Sequence, residues 1–267
     1  MEKYCKKMEK NIMKQTNKLS KFLIKVRIGF KAIRMIKNWH AYFLNYFGLI
    51  KNNYVIYNFR KRFKIKIRSN ANVNPDREVV GSAILLDGYN SRKIKKDDII
   101  IDIGAHIGTF SILASSIANK GKIYSFEPEK NNFKLLVENI KLNNLKNTKA
   151  YNLGVWGDSR EKKFYVVGKR TIAYSMFVGK NKKQNENYIV SCTTLKDIFD
   201  TNKIKKCNFL KMDCEGAEFE ILYNTPNKYL KKIDIISMEF HDLDNKKLNH
   251  TILKKFLEKN GFKVKIL

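Results

Sequence analysis

The chain has 267 residues, with 54 Lys and Arg against 25 Asp and Glu and a formal net charge of +29. That length fits one α/β domain plus an extension, with enough chain to bury a full core. The charge has two readings. It is a compositional habit, since Lys, Asn and Ile rise together throughout, or it marks a polyanion partner such as nucleic acid, anionic lipid or a phosphorylated glycan. Cys5, Cys192, Cys207 and Cys214 form no C-x-x-C pair and no metal-ligand spacing, so they are expected to be reduced thiols. Charges interrupt the N-terminal apolar runs before a signal-peptide core can form, and no stretch reaches about 18 apolar residues. The expected location is the cytoplasm, with peripheral contact at the inner face of a membrane as a further option.

In chain order, residues 1–18 are polar and expected to fray. Residues 20–47 have helical spacing: Ile24, Ile28, Ala32, Met35, Ile36, Trp39, Tyr42 and Phe43 fall on one face, and Arg27, Lys31, Arg34, Lys37 and Asn38 on the other. Leu23 and Phe30 break the pattern. Such a helix packs its apolar face on its own domain, the favoured reading, or lies on an anionic membrane. Tyr54–Phe59 and Phe63–Arg68 are two strands, the second alternating apolar and basic residues. Asn70–Asp76, with Pro75, has linker composition. The predicted division is a basic extension over 1–70, helix plus β-hairpin, and a catalytic domain over 71–267.

That domain alternates strand and helix. Strands are predicted at 98–103, 122–126, 149–155, 208–212, 233–238 and 262–267, with shorter ones at 162–167 and 188–192. Helices are predicted at 107–118, 129–143 with Pro128 at its start, 194–200, 217–223 and 246–259. This order gives an α/β, doubly wound, mostly parallel Rossmann-like sheet. Ligands in such sheets bind beyond the carboxyl ends of the strands. Asp102, Glu127, Asp213 and Glu239 all stand at such ends.

Asp98 to Phe110 reads D-I-I-I-D-I-G-A-H-I-G-T-F: a strand, a glycine turn and a helix start. Glu127 follows about 20 residues beyond the glycines, where this architecture grips a ribose diol. A dinucleotide fingerprint has a second Gly that admits a pyrophosphate, but His106 occupies that place. S-adenosylmethionine has adenine and ribose without phosphate and asks less of the turn. Alone the turn leaves both cofactors open; Glu127 and the downstream acids favour S-adenosylmethionine.

Five motifs together, D-I-G-A-H-I-G at 102–108, F-E-P at 126–128, N-x-x-x-N at Asn139 and Asn143, L-K-M-D-C-E-G-A-E at 210–218 and M-E-F-H at 238–241, resemble the FkbM family of class I S-adenosylmethionine-dependent methyltransferases. The resemblance runs from about residue 95 to the C-terminus, and D-x-E-G-A-E is its most specific part. It implies O-methylation, often of sugar hydroxyls in polysaccharides, glycolipids or secondary metabolites. Class I methyltransferases usually finish with a strand hairpin. Only one strand follows the last helix here, which leaves the far edge of the sheet in question.

The expected cofactor contacts are Asp102, Gly104, Ala105, His106, Gly108, Glu127, Pro128, Asn152 and Asp213. Asp102 and the glycine turn face the methionine part, Glu127 the ribose, and Asn152 the adenine. The expected catalytic set is Asp213, Glu239, His241 and Lys211. Asp213 faces the transferred methyl, and Lys211, two residues before it, orients the acceptor. Glu239 and His241 point the same way in an extended strand, and a neutral His suits a general base. Asp213, Glu239 and His241 also suit a divalent metal, although none is expected. Glu215 and Glu218 surround the start of the 217–223 helix and complement its dipole. The expected acceptor is a glycan or small molecule. An RNA 2′-hydroxyl is the first alternative; the absence of an Asn/Asp-Pro-Pro-aromatic motif and of a Pro-Cys nucleophile argues against base methylation. A non-catalytic basic glycan- or membrane-binding module is the second.

Overall fold

The computed structural model describes residues 3–8, 18–69, 75–166, 174–175, 187–239 and 248–266. A sheet of seven parallel strands forms the centre. Its strands are β1 (Lys3–Met8), β4 (Ile99–Ile103), β5 (Lys122–Phe126), β6 (Thr148–Tyr151), β12 (Cys207–Met212), β13 (Ile233–Glu239) and β14 (Phe262–Lys265). They lie in the order β14-β1-β13-β12-β4-β5-β6. Strand β4 reads I-I-I-D-I with no alternation, because both of its faces are covered. Ile101, Ile103, Leu210 and Met212 enter one core, and Ile100 and Phe209 enter the other.

Helices cover both faces. Helices α4 (Thr109–Ile117) and α5 (Lys130–Leu142) lie on the face of Ile100. Helices α6 (Leu195–Thr201), α7 (Glu218–Tyr223), α8 (Asn227–Leu230) and α9 (His250–Lys259) lie on the other. The sheet is wound in both directions from its middle: β4 runs on to β5 and β6 on one side, and β12 runs on to β13 on the other. The switch point falls between β4 and β12, where the crevice of this architecture opens.

The N-terminal region differs from expectation in three places. Lys3–Met8 is not frayed; it is strand β1, parallel to both β13 and β14, at the edge where one strand had seemed missing. The expected helix over 20–47 is two helices, α1 (Lys18–Met35) and α2 (Trp39–Tyr46). The break has a polar cause. Asn38 donates its side-chain amide to the Ile56 carbonyl at 2.9 Å and accepts the Asn58 N–H at 2.8 Å, while Ile36 bridges Phe59. Of the predicted apolar face, Ala32, Ile36 and Tyr42 are buried and Ile24, Ile28, Met35 and Phe43 partly so, but Trp39 is exposed. Third, Pro75 and Asp76 are not linker. They open helix α3 (Pro75–Val80), which continues as a π-helical turn over Gly81–Leu85. Pro suits a first helical position, where its missing N–H costs nothing.

Strands β2 (Tyr54–Asn58) and β3 (Lys64–Arg68) pair as the predicted antiparallel hairpin. Asn139 of α5 and Asn143 at its C-cap dock it. Asn139 accepts the Lys66 N–H at 2.7 Å and donates to the Lys66 and Ile107 carbonyls at 3.0 and 2.9 Å. Asn143 accepts the Lys64 N–H and donates to the Lys64 carbonyl, both at 2.7 Å. Residues four apart on a helix stand about 6 Å apart, close to the i, i+2 spacing of a strand. The N-x-x-x-N pair therefore substitutes for a neighbouring strand on the edge of β3. The expected single strand over 149–155 is also two: β6, then β7 (Gly154–Trp156), which pairs with β11 (Cys192–Thr194) outside the main sheet, while β8 (Lys162–Val166), β9 (Tyr174–Ser175) and β10 (Asn187–Val190) form a separate antiparallel sheet.

Asn139 is fully buried, whereas the Asn143 bonds are exposed. Asn139→Ala should destabilise the protein by about 1–3 kcal/mol, the cost of stranding buried backbone groups. Asn143→Ala should cost less, since water replaces its bonds. Urea unfolding of both variants measures this; an equal or larger loss for Asn143→Ala would contradict it.

Candidate active site

Strand register lines up the residues of the carboxyl edge. Phe126 pairs with Tyr151 and with Ile103, Ile103 with Met212, and Met212 with Met238. One step further along each strand come Asn152, Glu127, Gly104, Asp213 and Glu239, side by side across the switch point. Asp102 and Lys211 are register partners one layer below.

Lys211 is buried, and its ammonium joins the layers. It lies 3.0 Å from Asp102 Oδ1 and donates to the Gly104 carbonyl at 2.6 Å. Burial alone would lower its pKa, but Asp102 and Asp213 outweigh that and raise it, so the ammonium stays charged. The other Asp102 oxygen accepts the Ser111 hydroxyl at 2.5 Å, and Ser111 meets Ser125 at 2.8 Å. Asp102 is thus fully enclosed by protein groups.

The glycine turn is built for close approach. Gly104 has φ +72°, and a Cβ there would stand 1.9 Å from the Asp213 carbonyl oxygen. The Gly104 and Ala105 N–H groups both donate to the Phe126 carbonyl at 3.0 Å. Gly108 also has a positive φ, and a Cβ there would collide with Leu136. His106 has φ +52°, unusual for a side chain of its size. Its N–H donates to Glu127 Oε2 at 2.7 Å, and the Glu129 N–H donates to Oε1 at 2.9 Å. Glu127 is buried, and burial pushes its pKa up to about 7 despite these two donors. A carboxylate has about four lone-pair positions, so two remain beyond those two bonds. Asn152 donates to the Glu127 and Pro128 carbonyls at 2.9 and 3.0 Å and fixes this turn.

Asp213 stands at the tip of β12. Its Oδ2 accepts the Tyr89 hydroxyl at 2.6 Å. Burial, then the carboxylates of Asp213 and Glu239, hold the Tyr89 pKa well above its ordinary value. Beyond Asp213, Glu215 and Gly216 take positive φ, and Glu218 accepts the N–H groups of Cys214 and Gly216, each at 2.9 Å. Glu218 therefore holds the loop that carries Asp213, a more specific role than complementing a dipole. Glu239 is buried at the end of β13. His241 lies outside the described residues.

Sequence reasoning missed two parts of the site. Tyr89 is 124 residues from Asp213, and a lone aromatic between Gly88 and Asn90 gives no signal. Asp76 is fully buried behind the turn. It accepts the Arg68 guanidinium at 2.6 and 2.8 Å and lies 3.7 Å from His106 Nε2.

A parallel sheet of this order, with a glycine turn after β4 and an acid after β5, defines a class I S-adenosylmethionine-dependent methyltransferase. Residues 102–264 match the family model described as Methyltransferase FkbM domain, and the chain belongs to that family. S-adenosylmethionine is its cofactor. Over 207 residues it is 25% identical to "Methyltransferase 1" of Beauveria bassiana, covering 71% of this chain and 82% of that protein. Over 151 residues it is 28% identical to "Hexuronic acid methyltransferase AglP" of Haloferax volcanii, covering 55% of this chain and 57% of that protein. Among solved structures, M. jannaschii TYW2 in complex with AdoMet superposes with a TM-score of 0.40 at 15% identity, covering 79% of this chain and 75% of that one. The strand order, not this superposition, defines the class. Among the described residues, no helix is long and apolar enough to cross a membrane.

Burial pushes the His106 pKa down to about 4. The folded state then binds fewer protons than the unfolded state between about pH 6.5 and 4, so this group contributes stability that is lost as pH falls through that window. Glu127, with its raised pKa, works in the opposite direction, so the two must be separated by mutation. His106→Asn, which tolerates the left-handed backbone, removes the first effect. From pH 7 to pH 4 the stability difference should move in the variant's favour by up to about 3 kcal/mol. Urea unfolding at several pH values checks this, and parallel curves for the two proteins would refute it.

Proposed function

We propose that the chain transfers a methyl group from S-adenosylmethionine to a hydroxyl oxygen of a sugar, in a glycan, glycolipid or related metabolite. The observation that carries this reading is the Asp213 carboxylate, set at the strand tip and oriented by Tyr89. It is an acceptor suited to hold a hydroxyl through its proton. The name of the Haloferax volcanii relative, a hexuronic acid methyltransferase, supports a sugar as the acceptor.

The turn fits the cofactor. Glu127 keeps lone pairs for the two ribose hydroxyls, and the bare Gly104 lets the turn close onto the Asp213 backbone beside the place proposed for the methionine part. Ala105, His106, Gly108 and Pro128 shape the walls of this turn, and Asn152 holds its far side. When bound, S-adenosylmethionine supplies an electrophilic methyl on a sulfonium. Asp102, enclosed by Lys211, Ser111 and the strands, sets the turn's position. Lys211 acts as a positioning residue, since its ammonium is directed at Asp102 and the Gly104 carbonyl. Asp213 accepts a hydrogen bond from a neighbouring hydroxyl of the sugar, Glu239 adds negative charge beside it, and His241 takes the proton of the attacking hydroxyl.

Two measurements test the assignment. At pH 8, where Glu127 is mostly ionised, Glu127→Ala should weaken binding of adenosine alone by about 1.5–3 kcal/mol, the range for bonds to a charged group; calorimetry that finds unchanged adenosine affinity would remove Glu127 from the ribose site. His241→Ala should slow transfer of isotope-labelled methyl to a uronic acid glycoside about 10²–10⁴-fold while leaving cofactor affinity intact. Wild-type protein that methylates RNA and no sugar in the same assay would overturn the sugar assignment.

A further inference from the structure

Helix α1 carries a second apolar face. Leu19, Phe22, Leu23, Val26, Phe30 and Ile33 fall within an arc of about 100° at 100° per residue, opposite Ile24, Ile28 and Ala32. Four are exposed by more than half: Phe30 70%, Leu19 64%, Phe22 61% and Leu23 56%. Single exposed apolar residues are ordinary, but a continuous stripe four turns long marks an interaction site. Leu23 and Phe30, which break the inward-facing pattern, belong to this outward one.

Charge decides what the stripe meets. Arg27 and Arg34 flank it on one side and Lys25 on the other. The helix contains no acid, and no Asp or Glu occurs between Glu9 and Asp76. A second copy of the chain would bring a like-charged helix against this one, which is repulsive. Nucleic acid would meet the cations but leave six apolar side chains in contact with phosphate and water. An anionic bilayer satisfies both parts: acyl chains take the stripe, and lipid phosphates take the flanking cations, whose aliphatic stems reach up to the headgroups.

We propose that the outer face of α1 is a membrane-docking surface that lies in the interface of an anionic bilayer, with Phe22 and Phe30 as its apolar anchors. The inner face keeps α1 packed on the hairpin and the π turn, so docking requires no unfolding. The proposal is independent of the methyl acceptor, because vesicle binding needs neither cofactor nor catalysis.

The test is co-sedimentation of the full chain with vesicles of phosphatidylcholine containing phosphatidylglycerol, and with phosphatidylcholine alone. The wild type should bind the anionic vesicles and not the neutral ones. The double variant Phe22→Ser/Phe30→Ser should partition at least about ten-fold more weakly, as should Arg27→Glu/Arg34→Glu. Both sites are exposed, so unchanged circular dichroism and melting temperature should accompany the loss. Phe30→Trp should give a blue-shifted emission with anionic vesicles that brominated lipid quenches. Serine variants that bind as well as the wild type would overturn the proposal. So would a wild type that binds no vesicles, one that prefers RNA, or one that forms a dimer which the serine variant dissolves.

Discussion

One buried ammonium holds the site together. Lys211 is placed by strand register opposite Asp102, within the sheet and away from water. A lysine there is costly unless it is paired, and removing one partner of such a pair leaves an uncompensated charge. Its bond to the Gly104 carbonyl ties that charge to the turn after β4, and the field of Asp213 joins the strand tip to the same centre. The glycine turn, Asp102 and Asp213 thus share one counter-charge. A shift in β4 against β12 would break all of these contacts together. That coupling keeps the crevice formed while it is open to solvent, as a preorganised site requires.

The N-terminal extension contributes to the same structure from behind. The asparagine pair of α5 fixes β3, and β3 ends in Arg68, which grips buried Asp76 and reaches Asn132 at 2.7 Å. Asp76 in turn lies against His106, the residue whose backbone N–H orients Glu127. Hydrogen bonds and an ion pair therefore run from the hairpin to Asp76, and a 3.7 Å contact with the neutral His106 ring carries the packing on to the proposed ribose-binding acid. The hairpin and the catalytic sheet are continuous in their packing, since Tyr57, Ile65 and Ile67 enter the same core as Ile100 and Phe110.

Much of this was legible in the sequence. Strand, glycine turn and helix are local patterns, and the acids at 102, 127, 213 and 239 stood out because each closes an apolar run. Residues that act across the fold gave no such signal. Tyr89 and Asp76 gain their meaning only when β12 and the hairpin are brought beside them. Asn38 breaks a helix whose apolar spacing runs on past it in sequence, because its amide bonds a strand 18 and 20 residues away. Lys3–Met8 has no strand pattern at all; its pairing uses backbone groups that every residue carries. Lys211 was noticed for its position, but its direction, toward Asp102 and the turn, depends on register.

The most direct test of this account is calorimetric titration of Lys211→Met with S-adenosylmethionine. The variant keeps the side-chain bulk and removes the charge that Asp102, Asp213 and the glycine turn share. The account predicts a clear loss of affinity, with the fold itself destabilised by roughly 3 kcal/mol or more, the scale of breaking a buried pair, although no atom of Lys211 is assigned to the cofactor. Wild-type affinity in a folded Lys211→Met protein would contradict it.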